Sequence, residues 1–226
     1  MKNIILLHGA IGAKDQLEPL AIELKQNGYT VYTLSFSGHG QTPFQTHFGI
    51  EQFALELEQF IKENNLQQPT VFGYSMGGYV ALYLAHQQPT LLGNIITLGT
   101  KFEWNPEISA KETKMLDSKT ILEKVPKFAE ALQKRHGKDW ELLLQKTAEM
   151  MLSLGNKNAL SLNDFTSIEN KVLIGLADKD NMVTLEETTA VYKQLKNGAM
   201  YMLPNTKHPI ETVNVGLLGR IIEGFK

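Results

Sequence analysis

Short runs of β-branched and apolar residues alternate along this chain with stretches in which apolar positions recur every three to four residues. The first kind predicts strands at Asn3 to Leu7, Thr30 to Leu34, Thr70 to Tyr74, Asn94 to Leu98, Lys171 to Ala177 and Ala199 to Leu203. The second predicts helices between them. Leu17, Leu20, Ala21 and Leu24 share one face that stops at Gly28, and Phe53, Leu57, Phe60 and Ile61 share another. Thr184 followed by Glu187 is a capping-box pattern opening a helix that runs towards Leu195, with Gly198 closing it. Val213, Leu217 and Ile221 put a last helix near the end of the chain. Strand and helix in alternation point to a parallel sheet with crossover helices, so the fold class is α/β.

The alternation fails once, after Thr100, where a long stretch carries helix patterns and no convincing strand. Ile121, Leu122, Val125, Phe128, Ala129 and Leu132 follow helical spacing with a kink expected at Pro126, and Trp140 to Leu154 forms another apolar-faced segment. This reads as an insertion: a core of residues 1–100 and 167–226 carrying a helical cap at 101–166. The alternative is a set of extra core helices. Met115, Met150 and Met151 are candidates for lining a soft pocket, or else are core filler.

Composition narrows the chemistry. With 226 residues, 42% hydrophobic and 20% charged, the chain has ordinary globular values, and a net charge of −2 gives no nucleic-acid footprint. There is no cysteine, which removes disulfides, thiolate metal sites and cysteine nucleophiles together. The opening apolar run, Ile4 to Leu7, is too short for a secretory or membrane segment, so a cytoplasmic protein without membrane partners is expected. Only Arg135 and Arg220 are arginine among 22 basic residues, which argues against a strongly anionic substrate. Oligomeric state is not legible.

Residues 73 to 78 read Gly-Tyr-Ser-Met-Gly-Gly, a G-x-S-x-G run between a predicted strand and a helical pattern starting at Tyr79. A serine at such a turn projects from the sheet edge, and glycines stand where a side chain would strike the adjoining strand or helix. Ser75 is therefore a candidate nucleophile. It needs a base and a group to orient that base, and two later strand ends offer them. One runs from Lys171 into Asp178 and Asp180; the other runs from Leu203 to His208. No metal-ligand spacing stands out, and no cofactor is expected.

With these residues in hand, the chain resembles the α/β-hydrolase fold family over nearly its whole length. The order Ser75, acid, His208 is the order that family uses. His8-Gly9-Ala10 resembles its His-Gly-x segment, and Ser37-Gly38-His39-Gly40 resembles its Gly-His-Gly loop, with Ser35 where an aspartate is usual. The resemblance implies a mostly parallel sheet of about six strands, the family's first two being absent, and a Ser75–Asp180–His208 triad. It also implies an oxyanion hole made by the backbone N–H groups of Ala10 and Met76. For the acid, counting from Gly175 selects Asp178, whereas aligning Lys171 to Asp180 with the family's strand-and-acid pattern selects Asp180, the reading preferred here. His8 and His39 are expected to brace loops by backbone hydrogen bonds, His86 to act as a helix C-terminal charge, and His47 and His136 to be solvent-exposed.

The function implied is a serine hydrolase acting on a small carboxylic ester or thioester through an acyl-enzyme on Ser75, with a small-molecule substrate as its partner. The alternatives are the same triad used for C–C bond hydrolysis, acyl transfer or a lyase step, and a non-catalytic ligand-binding member of the fold.

Overall fold

The structure, a computed structural model, describes residues 2–225. All six apolar runs form strands: β1 Lys2–Leu7, β2 Tyr29–Leu34, β3 Thr70–Tyr74, β4 Ile95–Leu98, β5 Val172–Ala177 and β6 Gly198–Leu203. They make one parallel sheet in the order β2-β1-β3-β4-β5-β6. The helices are α1 Glu18–Gln26, α2 Ile50–Glu63, α3 Met76–Gln87, α4 Pro106–Thr113, α5 Ser118–Lys124, α6 Pro126–His136, α7 Trp140–Asn156, α8 Leu185–Tyr192 and α9 Val215–Gly224.

The inner strands read as continuous hydrophobic runs because both of their faces are covered. Ile5 and Leu7 of β1 join Val71, Ile95 and Ile174 in a core that packs on α2, α3 and α8. Their neighbours Ile4 and Leu6 turn the other way, with Phe72, Ile96 and Leu173, onto Leu20, Ala21 and Leu24 of α1 and Leu218 and Ile222 of α9. Period-two alternation thus builds two cores from one sequence. Strand order reverses between β1 and β3, and that switch point is where open α/β sheets form a crevice beyond the strand ends. Ala10 follows β1 and Ser75 follows β3, so both lie at it.

Several local expectations need correction. Pro126 does not kink one long helix. It begins α6, and Val125 with φ −138° and ψ 59° breaks the chain between α5 and α6; proline fits a first helical position because no intrahelical N–H is needed there. The capping box of Thr184 and Glu187 forms, but α8 stops at Tyr192, short of Leu195, and Gly198 opens β6 instead of closing the helix. The last helix begins at Val215 with Asn214 as its N-cap, so Val213 lies before it. Met115 is 57% exposed and lines no pocket with Met150 and Met151. Among the described residues no helix is long and apolar enough to cross a membrane.

Candidate active site

Ser75 sits between the last residue of β3 and the first of α3 with φ 50° and ψ −117°, a conformation that L residues rarely hold. Strain of this kind costs about 1–3 kcal/mol and persists only where the surroundings over-determine it. Here they do. The Ser75 N–H donates to Leu98 O at 2.8 Å, and its carbonyl accepts from Gly78 N–H at 3.0 Å and Thr100 Oγ1 at 3.1 Å. The glycines are required by close approach: a Cβ at Gly73 would lie 2.4 Å from the Gly78 backbone, and one at Gly77 would lie 2.5 Å from the Leu7 carbonyl. Strand and helix are in contact, which leaves the Ser75 side chain pointing out of the turn.

Asp180 and His208 reach this point from β5 and β6 through two loops zipped to each other. Asp178 N–H donates to Leu203 O at 3.0 Å, Lys179 N–H to Thr206 O at 2.9 Å, and Thr206 N–H to Asp178 Oδ1 at 2.9 Å. That zipper sets Asp180 Oδ2 2.7 Å from His208 Nδ1. Asp180 Oδ1 accepts from the N–H groups of Met182 and Val183, each at 2.9 Å. Burial pushes the Asp180 carboxyl up, but the His208 hydrogen bond, the imidazole's charge and the two backbone donors outweigh it and hold the group below the usual carboxylate range. Asp178 does not touch His208; its exposed carboxylate is held below the usual range by the backbone of Asn205 and Thr206. Tyr74, next to the serine, donates its hydroxyl to the His208 carbonyl at 3.0 Å. Gly99, at φ 60°, lets the backbone pass where a Cβ would lie 3.3 Å from Asp180 Oδ2 and 3.4 Å from the His208 ring.

Ala10, Ser75, Met76 and His208 line one cavity of about 40 Å³, whose other walls include Trp104, Met150, Met151 and Leu154. The Ala10 N–H has no acceptor among the described residues, and Met76 begins a helix, where the first N–H groups lack intrahelical partners. Of the residues singled out in the sequence, Ala10, Ser75, Met76, Asp180 and His208 come together, and Asp178 stays outside.

Lys101 and Trp104 were not foreseen. Lys101 Nζ donates to Met182 O at 2.9 Å and lies 3.4 Å from Glu187, whose other oxygen takes the N–H groups of Phe102 at 2.9 Å and Glu103 at 2.8 Å. The capping box signalled Glu187, but only for its own helix. Trp104 also borders a second cavity, of about 410 Å³, with Phe102, Leu160, Phe165 and Val191.

Three further histidines lie beside the site. His8 donates from Nδ1 to Gly9 O at 2.8 Å and accepts from Phe36 N–H at 3.1 Å; His39 donates from Nδ1 to Ser37 O at 3.0 Å. Burial lowers the His8 pKa to about 4 and the His39 pKa well below its ordinary value, so both rings are neutral. His136 was expected at the surface. It is instead 2% exposed, because α6 lays it against the loops after β1 and β2. His86 pairs with Ser167 Oγ at 2.7 Å, while His47 is exposed.

A family model described as alpha/beta hydrolase fold matches residues 2–140. The curated relatives include ethanol acetyltransferase 1 of Hanseniaspora uvarum, 29% identical over 46% of this chain and 32% of that protein. They also include the sn-1-specific diacylglycerol lipase ABHD11 of Xenopus tropicalis, 26% identical over 69% of this chain and 46% of that protein. The matches thus span about a third to a half of these relatives' length. Among solved structures, a putative lipase from Acinetobacter baumannii superposes over 99% of this chain and 83% of its own with a TM-score of 0.83 at 20% identity. The enol-lactonase of Burkholderia xenovorans superposes over 99% and 90% with a TM-score of 0.80 at 13% identity. The extent of the family match and the sheet it maps onto lead to one conclusion: the chain belongs to the alpha/beta hydrolase family.

Proposed function

We propose that this protein is a serine hydrolase that cleaves a small carboxylic ester or thioester, with Ser75 as nucleophile, His208 as general base and acid, and Asp180 as the residue that orients the imidazole. The observation that carries this reading is the strained, over-determined Ser75 facing the same cavity as His208, whose far nitrogen is bonded to Asp180 at 2.7 Å.

In the first half-reaction His208 Nε2 takes the Ser75 hydroxyl proton as Oγ bonds to the substrate carbonyl carbon. The charge that develops on the carbonyl oxygen faces the N–H groups of Ala10 and Met76, donors fixed by the backbone before the reaction begins. The imidazolium then gives its proton to the departing alcohol or thiol, and the C–O or C–S bond breaks. Water loses a proton to His208 and adds to the acyl carbon; on collapse the bond from the acyl carbon to Ser75 Oγ breaks, the imidazolium returns the proton to Oγ, and the acid and the free Ser75 hydroxyl are released. Asp180, ionised and accepting from Nδ1, keeps Nε2 free to act as the base and stabilises the imidazolium. The helices of residues 101–166 act in this reading as a cap whose Trp104, Met150, Met151 and Leu154 form the apolar wall over the acyl group.

A fluorophosphonate probe should label the protein, and Ser75→Ala should abolish both labelling and turnover of p-nitrophenyl acetate. Turnover that survives in Ser75→Ala would sink the proposal. A second reading, acyl transfer to an alcohol in place of water, draws on the relatives named as alcohol acetyltransferases and on the apolar lining of the cavity. It is read directly from the ratio of ester to acid formed when ethanol is added to the acyl-enzyme.

A further inference from the structure

The residue after Ala10 is in an unusual position. Ile11 is β-branched yet has φ 51°, a backbone region such residues occupy only under constraint. Two contacts constrain it, and both come from the helices between β4 and β5. Its side chain packs against the cluster of Ile121, Ala129, Leu132, Trp140 and Leu144 formed by α5, α6 and α7. Its carbonyl accepts from His136 Nε2–H at 2.9 Å. The other ring nitrogen, Nδ1, accepts from the N–H of Gly40 at 3.0 Å, in the loop after β2. With one nitrogen donating and one accepting, the neutral tautomer is fixed by its partners. One buried imidazole thereby ties three segments: the loop holding the Ala10 N–H, the Gly38–Gly40 turn, and the last turn of α6. Next to it, Arg135 Nε meets Asp15 at 3.0 Å, a more exposed tie between the same helix and the chain just after that loop. His136 lines no part of the reaction cavity, so it acts through the loop and not on the substrate.

We propose that His136 is a positioning residue for the oxyanion hole: with Ile11 it makes the helical insertion fix the direction of the Ala10 N–H, so that the insertion governs transition-state stabilisation as well as covering the site. This rests on the acyl-enzyme reading above. The peptide that carries the Ala10 N–H is followed within one residue by the carbonyl that His136 holds. A rotation of that segment turns the donor away from the developing oxyanion, whereas substrate binding to the apolar wall is untouched.

The test separates the two bonds. In His136→Gln the side-chain amide reaches as far as Nε2 and keeps the donor to Ile11. In His136→Asn the shorter side chain reaches only as far as Nδ1 and loses it. With p-nitrophenyl acetate, His136→Asn is expected to lower kcat about ten-fold or more while KM stays within about two-fold. The inhibition constant of a trifluoromethyl ketone, which presents an oxyanion when Ser75 adds to it, is expected to rise by the same factor. His136→Gln is expected to stay within about three-fold of the parent on all three readouts. Equal loss in both variants, no loss in His136→Asn, or a loss of kcat that leaves trifluoromethyl ketone inhibition unchanged would overturn the inference. If His136→Asn does not fold, Ile11→Ala carries the same test, since it loosens the same segment from the other side. Its kcat must fall and its trifluoromethyl ketone inhibition must weaken together. Ser75→Ala, run in parallel, reports on the acyl-enzyme reading alone: activity there removes that reading, whereas its loss beside an unaffected His136→Asn removes only this one.

Discussion

His208 Nδ1 lies 2.7 Å from Asp180 Oδ2, although Asp178 stands two residues closer to the end of β5. The difference is made by the zipper between the two loops. Asp178 is spent on the Thr206 N–H, and the turn that follows carries Asp180 back to the ring. Asp180→Asn is expected to lower kcat by a factor on the order of 10⁴, because an amide facing Nδ1 no longer fixes the tautomer or stabilises the imidazolium. Asp178→Asn retains an oxygen acceptor for Thr206 and should remain within about two-fold of the parent. Steady-state kinetics of the two variants side by side would decide the matter, and the reverse pattern would make Asp178 the acid.

The strain at Ser75 predicts a gain of stability where activity is lost. Ser75→Gly places a residue without a Cβ at φ 50°, and its unfolding free energy in urea should rise by about 1 kcal/mol even though turnover disappears. Gly77→Ala should do the opposite. Its methyl would press on the Leu7 carbonyl at 2.5 Å, and a loss of about 1–3 kcal/mol is expected. Urea midpoints for the pair against the parent chain give both values.

Acid should begin to destabilise the protein before most of its carboxylates titrate. His8, His39 and His136 all have folded pKa values below the ordinary 6.5, chiefly because burial penalises their charged forms. As the pH falls below 6.5 the unfolded chain takes up protons that the folded chain refuses. The stability these rings contribute is whole above 6.5 and drains away as the pH falls from there towards each ring's lowered folded value. For His8 alone, whose folded value is about 4, the loss is about 3 kcal/mol on reaching that pH. Thermal midpoints recorded from pH 7.5 to 4.5 should fall most steeply below 6.5, and a flat profile would contradict this account.

Trp104 lines both the cavity of about 40 Å³ at Ser75 and the neighbouring pocket of about 410 Å³. Removing the indole in Trp104→Ala should join the two and admit a longer acyl chain. The ratio of kcat/KM for p-nitrophenyl octanoate to that for the acetate is expected to rise about ten-fold or more, since each methylene buried in such a pocket is worth about 1–3 kcal/mol. An unchanged ratio would mean that the acyl chain leaves by another route.

The sequence by itself determined what depends on neighbours along the chain. The six strands were legible within a residue or so: the inner ones because both of their faces are buried and their runs are largely apolar, the half-buried edge strands β2 and β6 because of their β-branched, aromatic and apolar residues. The turn at Ser75 was legible because its glycines stand at fixed offsets where backbone meets backbone. Thr184 and Glu187 were legible because a capping box closes within one helical turn. Tertiary structure decided the rest. His136 lies 125 residues from Ile11 and 96 from Gly40, and nothing local marks a ring at a helix end as buried. Lys101 and Trp104 became walls of the cavity only when α7 and the turn after β5 closed around them. Asp178 and Asp180 have the same chemistry and nearly the same address. The resemblance favoured Asp180, but what carries it and not Asp178 to His208 is the hydrogen bonding between two loops that share no stretch of sequence, which forms only once the sheet has brought β5 beside β6.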